Sequence, residues 1–248
     1  MNKFVDIHHH LIYGVDDGPR SFEDMQKMIL RAVSENVGDI VCTSHATPGG
    51  RPFPADDYIA HMEEARKWCA DEGLAIRLHN GCEVLYTDSS AHLLKEGHFP
   101  SLADTWNVLV EFTPETEFKR LCDAARSIGN AGFNVIFAHV ERYQALRNLN
   151  HVKELRDEYG VYMQMNANTV VGKKGFFFDR WVRHMLDEGF IDCVATDSHN
   201  VTSRACNMRI CFEMLKERYG REVADEMCGG FQRNLLGLWY DDQPADNG

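Results

Sequence analysis

This chain of 248 residues has no long apolar run, no basic surplus and no paired-cysteine motif. Each absence removes a class of protein. No stretch approaches the roughly 20 apolar residues that a membrane span needs, and the opening Met1-Asn2-Lys3-Phe4-Val5-Asp6 lacks the apolar core of a secretory signal. The expectation is a cytoplasmic protein without direct membrane insertion. Lys and Arg number 26 against 38 Asp and Glu, a net charge of −12. Such a chain repels a phosphate backbone, so nucleic acid is not expected as a partner. The eight cysteines include no C-x-x-C pair, which argues against a thiolate zinc site. They fall inside predicted strands and helices of a chain too long to need stapling, and are expected reduced and mostly buried. Also missing are G-x-S-x-G, the G-x-x-x-x-G-K-[ST] phosphate loop, and any cysteine followed six positions later by arginine. The last absence excludes chemistry through the C-x5-R thiol loop.

What the chain does have is alternation. Short apolar runs at residues 4–7, 39–42, 76–78, 108–110, 135–138, 161–165 and 193–195 are separated by helical patterns. The first helix is predicted from the cap-like Ser21-Phe22-Glu23-Asp24 to about residue 35, with Met25, Met28, Ile29, Ala32 and Val33 as its apolar face. Further helices are predicted at 56–71, near 90–95, and at 117–130, 204–219 and 222–236. Strands and helices of these lengths predict parallel βαβ units, and seven of them favour an α/β barrel over an open sheet. Seven is one short of the usual eight, which implies incomplete closure or a strand the pattern hides. One domain is expected over residues 1–240, with a polar, disordered tail at 241–248. Residues 47–54 are too rich in Gly and Pro for regular structure and form a candidate substrate lip.

Each apolar run leads to a residue able to hold or flank a metal: His8 and His10, His45, Glu83, Glu111, His139, Asn166, and Asp197 with His199. Reactive groups at the carboxyl ends of strands are how a β/α barrel builds an active site. His8 and His10 lie two apart on an extended segment and share a side, with His9 opposite. A lone His or Glu at a strand end is more often an ordinary satisfied polar residue. Several gathered in one mouth, however, would be costly to bury without cations. Imidazole and carboxylate without thiolate suit zinc, manganese, iron or cobalt. The ligands exceed one tetrahedral shell, so at least two metals are implied, and Glu83 is suited to bridging a pair about 3.5–4 Å apart. Arg142 and Arg204 stand near these positions, and guanidinium forks match phosphate oxygens. The set predicts metal-assisted hydrolysis of a phosphate ester. A metal-bound hydroxide, its pKa lowered from about 15.7 toward 7, would attack phosphorus in line while metals and arginines neutralise equatorial charge. His61, His79, His92, His98, His151 and His184 are assigned no role.

The strings Val5-Asp6-Ile7-His8-His9-His10, Gly14-Val15-Asp16-Asp17-Gly18-Pro19, Thr43-Ser44-His45, Gly81-Cys82-Glu83-Val84, Val110-Glu111-Phe112, Ala138-His139-Val140-Glu141-Arg142-Tyr143 and Thr196-Asp197-Ser198-His199-Asn200 together resemble the polymerase-and-histidinol-phosphatase (PHP) superfamily. More closely, they are similar to the CpsB/CapC-type bacterial protein-tyrosine phosphatases of capsular and exopolysaccharide loci. The resemblance runs in order from residue 4 to about 240. It implies a distorted seven-stranded β/α (TIM-like) barrel and two to three divalent metal ions, manganese foremost, with iron, cobalt or zinc as alternatives. Carried over motif by motif, His8, His10, Glu83 and Asp197 would hold the first metal, and Glu83, Glu111 and His139 the second. Asp17, His45 and His199 would hold the third. Asp17 enters only through the resemblance, as does its choice over Asp16, while Asn166 becomes a neighbour. Arg142 and Arg204 match the positions that bind the phosphate and assist catalysis. The implied substrate is phosphotyrosine on the tail of a membrane-associated bacterial autokinase that controls polysaccharide synthesis. A phenolate leaves readily, so no general acid is assigned. Two other readings are a small-molecule phosphatase resembling histidinol phosphatase and a non-catalytic, kinase-binding module.

Overall fold

The computed structural model describes residues 3–238. The predicted alternation appears as β1 (Phe4–His9), α1 (Phe22–Ser34), β2 (Val37–Ala46), α2 (Ala55–Asp71), β3 (Arg77–Leu85), α3 (Ser90–Lys95), β4 (Asn107–Glu111), α4 (Phe118–Asn130), β5 (Asn134–Phe137), α5 (Leu149–Tyr159), β6 (Tyr162–Asn166), α6 (Ala167–Val171), α7 (Phe176–Asp187), β7 (Cys193–Ala195), α8 (Met208–Tyr219), α9 (Arg221–Asp225) and α10 (Phe231–Leu236). Local chemistry sets the boundaries. Ser21 Oγ accepts from the Asp24 amide 3.2 Å away, starting α1, and Met25, Met28, Ile29 and Ala32 form its buried stripe. Helix α5 starts under the Asn148 side chain and stops at Gly160, whose φ of 65° suits a residue without Cβ.

All seven strands are parallel and neighbour one another in sequence order. The barrel is nearly closed. Beyond the three-residue β7, a single bridge joins Ser198 to His9. The His10 amide donates to Ser198 O at 2.9 Å and the Asp197 amide to His8 O at 2.8 Å. Asp6, fully buried, tightens the seam by accepting from the amide and hydroxyl of Thr196. Closure is therefore concentrated at the mouth.

Val5, Ile7, Val41, Leu109, Ile136, Ala138, Cys193 and Ala195 fill the barrel, and Leu236 and Leu238 join them from the C-terminal segment. The Leu235 carbonyl, which accepts from Asn107 at the start of β4, places α10 across the amino-terminal end. The larger core lies between the sheet and the surrounding helices. All eight cysteines are free and buried, as expected.

Three boundaries differ from the sequence expectation. Strand β3 runs through Leu85 rather than ending at residue 78, so Glu83 lies inside it. The helix expected from 204 starts at Met208, because residues 197–204 curl back and the Arg204 carbonyl accepts from the His199 amide and the Ser198 hydroxyl. The helix expected over 222–236 is interrupted by a π-helical turn at Glu226–Gly230. The tail expected to be disordered lies outside the described residues.

Candidate metal centre

The inward parity of each strand carries from the apolar barrel filling up to the mouth. Leu109 is followed two residues on by Glu111, Ala195 by Asp197, and Gln164 by Asn166. Val41 and His45 stand four apart in β2, and Gly81, whose added Cβ would meet Val41 Cγ1 at 2.5 Å, precedes Glu83. Period-two alternation thus delivers His45, Glu83, Glu111, Asn166 and Asp197 to one face. Three ligand candidates, His8, His10 and His139, need departures from it. A register shift between Asp6 and His9 lets His8 and His10 face the mouth although Val5 and Ile7 already face the interior. His139, just past β5, has φ 31°, and Asp197 has φ 52°, both in the left-handed region that side chains disfavour.

The nine expected ligand residues converge into four overlapping groups: His10, Asp17, His45 and His199; His8, His10 and Asp197; His8, Glu83 and His139; and His45, Glu83 and Glu111. Glu83 is the hub. Its Oε1 lies 3.2 Å from His8 Nε2 and 2.8 Å from His139 Nε2, and its Oε2 lies 3.3 Å from His10 Nε2 and 3.1 Å from His45 Nδ1. His45 spans the cluster, with Nε2 facing Asp17 at 3.3 Å and Nδ1 facing Glu111 at 3.2 Å. His199 Nε2 stands 3.1 Å from Asp17. Buried Glu83 Oε1, His139 Nε2 and His199 Nε2 make no aligned hydrogen bond despite this proximity. Inward-aimed orphan atoms of this kind are what a cation would satisfy, so the residues fit the metals the sequence implies.

Electrostatics agrees. Burial opposes charge on His10, but hydrogen bonds to Asp16 and Glu83 prevail and raise it to about 9. Burial likewise opposes charge on His45 and His139. Hydrogen bonds to Glu111 and Glu83 raise His45 to about 11, and the charge of Glu83 leads in raising His139 to about 9. Glu83 is held well below the ordinary carboxylate range: burial is outweighed by His8 and His139. The pocket is thus an array of carboxylates compensated by imidazolium and guanidinium groups.

Outer residues fix the ligands. Asp16 Oδ2 accepts from His10 Nδ1 at 2.9 Å and from the His45 amide at 3.2 Å, while its Oδ1 accepts from the Gly18 amide at 2.9 Å. Gln164 Oε1 lies 3.1 Å from His8 Nδ1 and accepts from the His139 amide at 2.8 Å. Tyr143 Oη lies 3.2 Å from His139 Nδ1. Asn166 donates to Asp197 Oδ2 at 2.9 Å, a neighbour's role. Such partners orient imidazoles and raise their basicity toward a metal. Sequence reasoning missed Asp16, Gln164 and Tyr143 in this role. A glutamine inside a buried strand, two residues before Asn166, was the available signal for Gln164.

Arg142 and Arg204 flank Asp197 at the rim. Arg142 pairs with Oδ2; Arg204 donates to Oδ1 at 2.8 Å and reaches Asp17 at 3.4 Å. The expected lip follows the end of β2: Thr47, Arg51, Pro52 and Pro54 share with Asp17 and His45 a groove of about 290 Å³.

The family model for capsular polysaccharide synthesis proteins, CpsB/CapC, matches residues 4–236. Tyrosine-protein phosphatase CpsB of Streptococcus pneumoniae is 30% identical over 238 residues, covering 94% of this chain and 98% of that protein. Tyrosine-protein phosphatase YwqE of Bacillus subtilis is 24% identical over 221 residues, covering 88% and 86%. Among solved structures, one described with YwqE of B. subtilis and CpsB of S. pneumoniae as metal-dependent tyrosine phosphatases superposes with a TM-score of 0.84 at 22% identity, covering 95% of both chains. Histidinol phosphate phosphatase of Lactococcus lactis, complexed with zinc, L-histidinol and phosphate, gives 0.56 at 14% identity, covering 92% and 98%. Both superpositions speak to the barrel fold.

Proposed function

This chain belongs to the CpsB/CapC family of capsular polysaccharide synthesis proteins, and from that premise we propose that it is a metal-dependent protein-tyrosine phosphatase. The observation that carries the reading is the convergence of nine imidazole and carboxylate side chains, three of their buried atoms unpartnered, beneath two arginines at an open mouth.

In this reading His8, His10, Glu83 and Asp197 hold one divalent ion, and Glu83, Glu111 and His139 a second. Asp17, His45 and His199 hold a third, with His10 close enough to contribute. Bound there, such ions, manganese foremost, would supply an acidified water as nucleophile and would neutralise charge on the phosphoryl group. Arg142 and Arg204 stand where they can turn a guanidinium edge from Asp197 to the phosphate oxygens, binding the substrate and stabilising charge that builds in transfer. Asp16, Gln164 and Tyr143 keep the imidazoles aimed. The groove beside Asp17 admits the aryl side of the substrate past Arg51. A phenolate is a good leaving group, so the chain needs no strong general acid. The finer reading is a cytoplasmic enzyme whose single domain over 1–240 acts on the phosphotyrosine tail of an autokinase governing capsule or exopolysaccharide synthesis; the family's link to capsular polysaccharide synthesis supports the last part.

The test combines metal analysis of the purified full chain with turnover of a phosphotyrosyl peptide and of histidinol phosphate, after manganese, iron, cobalt or zinc is restored in turn. The peptide is expected to be the better substrate and chelation to abolish its hydrolysis. Asp197→Ala and His139→Ala should each abolish turnover with the fold retained; near-normal turnover in either would refute the site. Arg142→Ala is expected chiefly to raise KM.

A further inference from the structure

Far from the ligand groups in sequence, residues 172–177, Gly-Lys-Lys-Gly-Phe-Phe, are all exposed where the connection after α6 runs into the first turn of α7. Phe176 and Phe177 are 74% and 85% exposed, the most exposed large hydrophobic side chains among the described residues. Their rings pack on each other, centroids 5.5 Å apart. Phe178 faces the protein instead, half-buried beneath the Arg147 guanidinium and the Lys174 ammonium. The presentation is built. Gly175 has φ 122°, a conformation side chains avoid, and Asp179 accepts from the Lys174 amide at 2.9 Å, which engages the one carboxylate of the segment with its own backbone. Lys173, Arg180 and Arg183 are exposed and make no ion pair among the described residues. With Phe176, His184 and the carboxylates Asp179 and Asp187 they border an open concavity of about 580 Å³, and Asp187 is itself paired with Arg218 at 3.2 Å.

We propose that this tip docks the protein on an anionic lipid surface, with Phe176 and Phe177 entering the headgroup layer and Lys173, Lys174, Arg180 and Arg183 meeting lipid phosphates. Charge complementarity selects that occupant. Residues 172–184 carry four cations against the single Asp179, on a chain of net charge −12. An anionic bilayer therefore repels most of the molecule and attracts this patch, which sets one orientation. A soluble anionic peptide would use the cations but leave two phenylalanine rings in water, whereas the lipid interface takes both. Docking is peripheral: no helix among the described residues is long and apolar enough to cross a membrane. The tip follows the carboxyl end of β6, on the face of the metal centre, and Lys174 Nζ lies 3.5 Å from Thr169, whose hydroxyl donates to Glu141. Docking would turn the mouth toward the lipid. This inference is independent of the catalytic reading.

Sedimentation of the full chain with vesicles tests it. The protein is expected to pellet with phosphatidylcholine vesicles containing about 30 mol % phosphatidylglycerol, to stay in solution with phosphatidylcholine alone, and to be released by about 1 M salt. Phe176→Ser with Phe177→Ser, and separately Lys173→Glu with Arg180→Glu, should each lower binding at least about tenfold with unchanged circular dichroism. Equal binding to both vesicle types, or either variant pelleting like the parent, overturns the proposal. So does absence of vesicle binding, even where the same variants raise KM for a phosphotyrosyl protein, since the surface would then belong to a protein partner.

Discussion

Asp16 and Asp17 are adjacent carboxylates with different tasks, and the difference comes from what each can reach. Asp17 is mostly exposed, yet it faces His45 and His199 across the open side of the cluster. Asp16 is turned under the loop, where it takes the Nδ1 side of His10 and the amides of His45 and Gly18. Burial alone would raise its pKa, but the His10 contacts win and bring it down to about 2, so it stays a carboxylate at any working pH. Asp16→Asn preserves shape and removes charge behind a proposed ligand, a change that in metal sites costs about 10- to 100-fold in affinity. Isothermal titration with manganese or zinc should show that loss; parental affinity in the variant would mean that Asp16 only braces the loop. The sequence offers two identical side chains in a row and no periodicity across a turn. The choice between them depends on loop geometry that only the folded chain supplies.

At the scale of strands and loops, the site was legible wherever alternation ran undisturbed. His45, Glu111 and Asp197 continue the parity of the buried apolar residues below them, so apolar runs ending in polar side chains pointed at them directly. Glu83 stands five residues past the apolar run at 76–78, because His79, Asn80 and Gly81 interrupt the apolar pattern within β3. The pattern could not show the register shift in β1. Without it, alternation would group His9 with Val5 and Ile7; with it, His9 is buried away from the ligand groups and both its ring nitrogens lack partners. The Asp-Asp-Gly-Pro turn has a concrete steric reason. A Cβ on Gly18 would lie 2.5 Å from the His10 carbonyl oxygen and 3.0 Å from Asp16 Oδ1. Gly18→Ala must therefore push the loop off β1, taking Asp16 and Asp17 with it. Expected are a cost of about 1–3 kcal/mol in chemical denaturation and weaker metal binding by calorimetry. An alanine variant matching the parent in both would show that the loop shifts freely.

For the molecule as a whole, a barrel filled with apolar side chains below and closed at its mouth by few hydrogen bonds carries its densest charge at that seam. In the metal-free state, hydrogen bonds and charge from the carboxylates outweigh burial and raise His10 and His139 to about 9 and His45 to about 11, against an ordinary value of 6.5. A raised imidazole contributes stability that is fully present below the ordinary value and is lost as pH rises through the raised one. The metal-free fold should accordingly lose this support progressively on the alkaline side of neutrality. Cations occupy the positions of those protons, so loading must release protons and tighten as pH rises. The gain in Tm on metal loading is therefore expected to grow from about pH 6 to about pH 9, with proton uptake on chelation in weakly buffered solution. Differential scanning calorimetry of manganese-loaded and chelated protein across that window measures it. A Tm gain independent of pH would mean that cations bind away from the imidazoles, and the cluster at the seam would then have to be read as a purely structural network of charges.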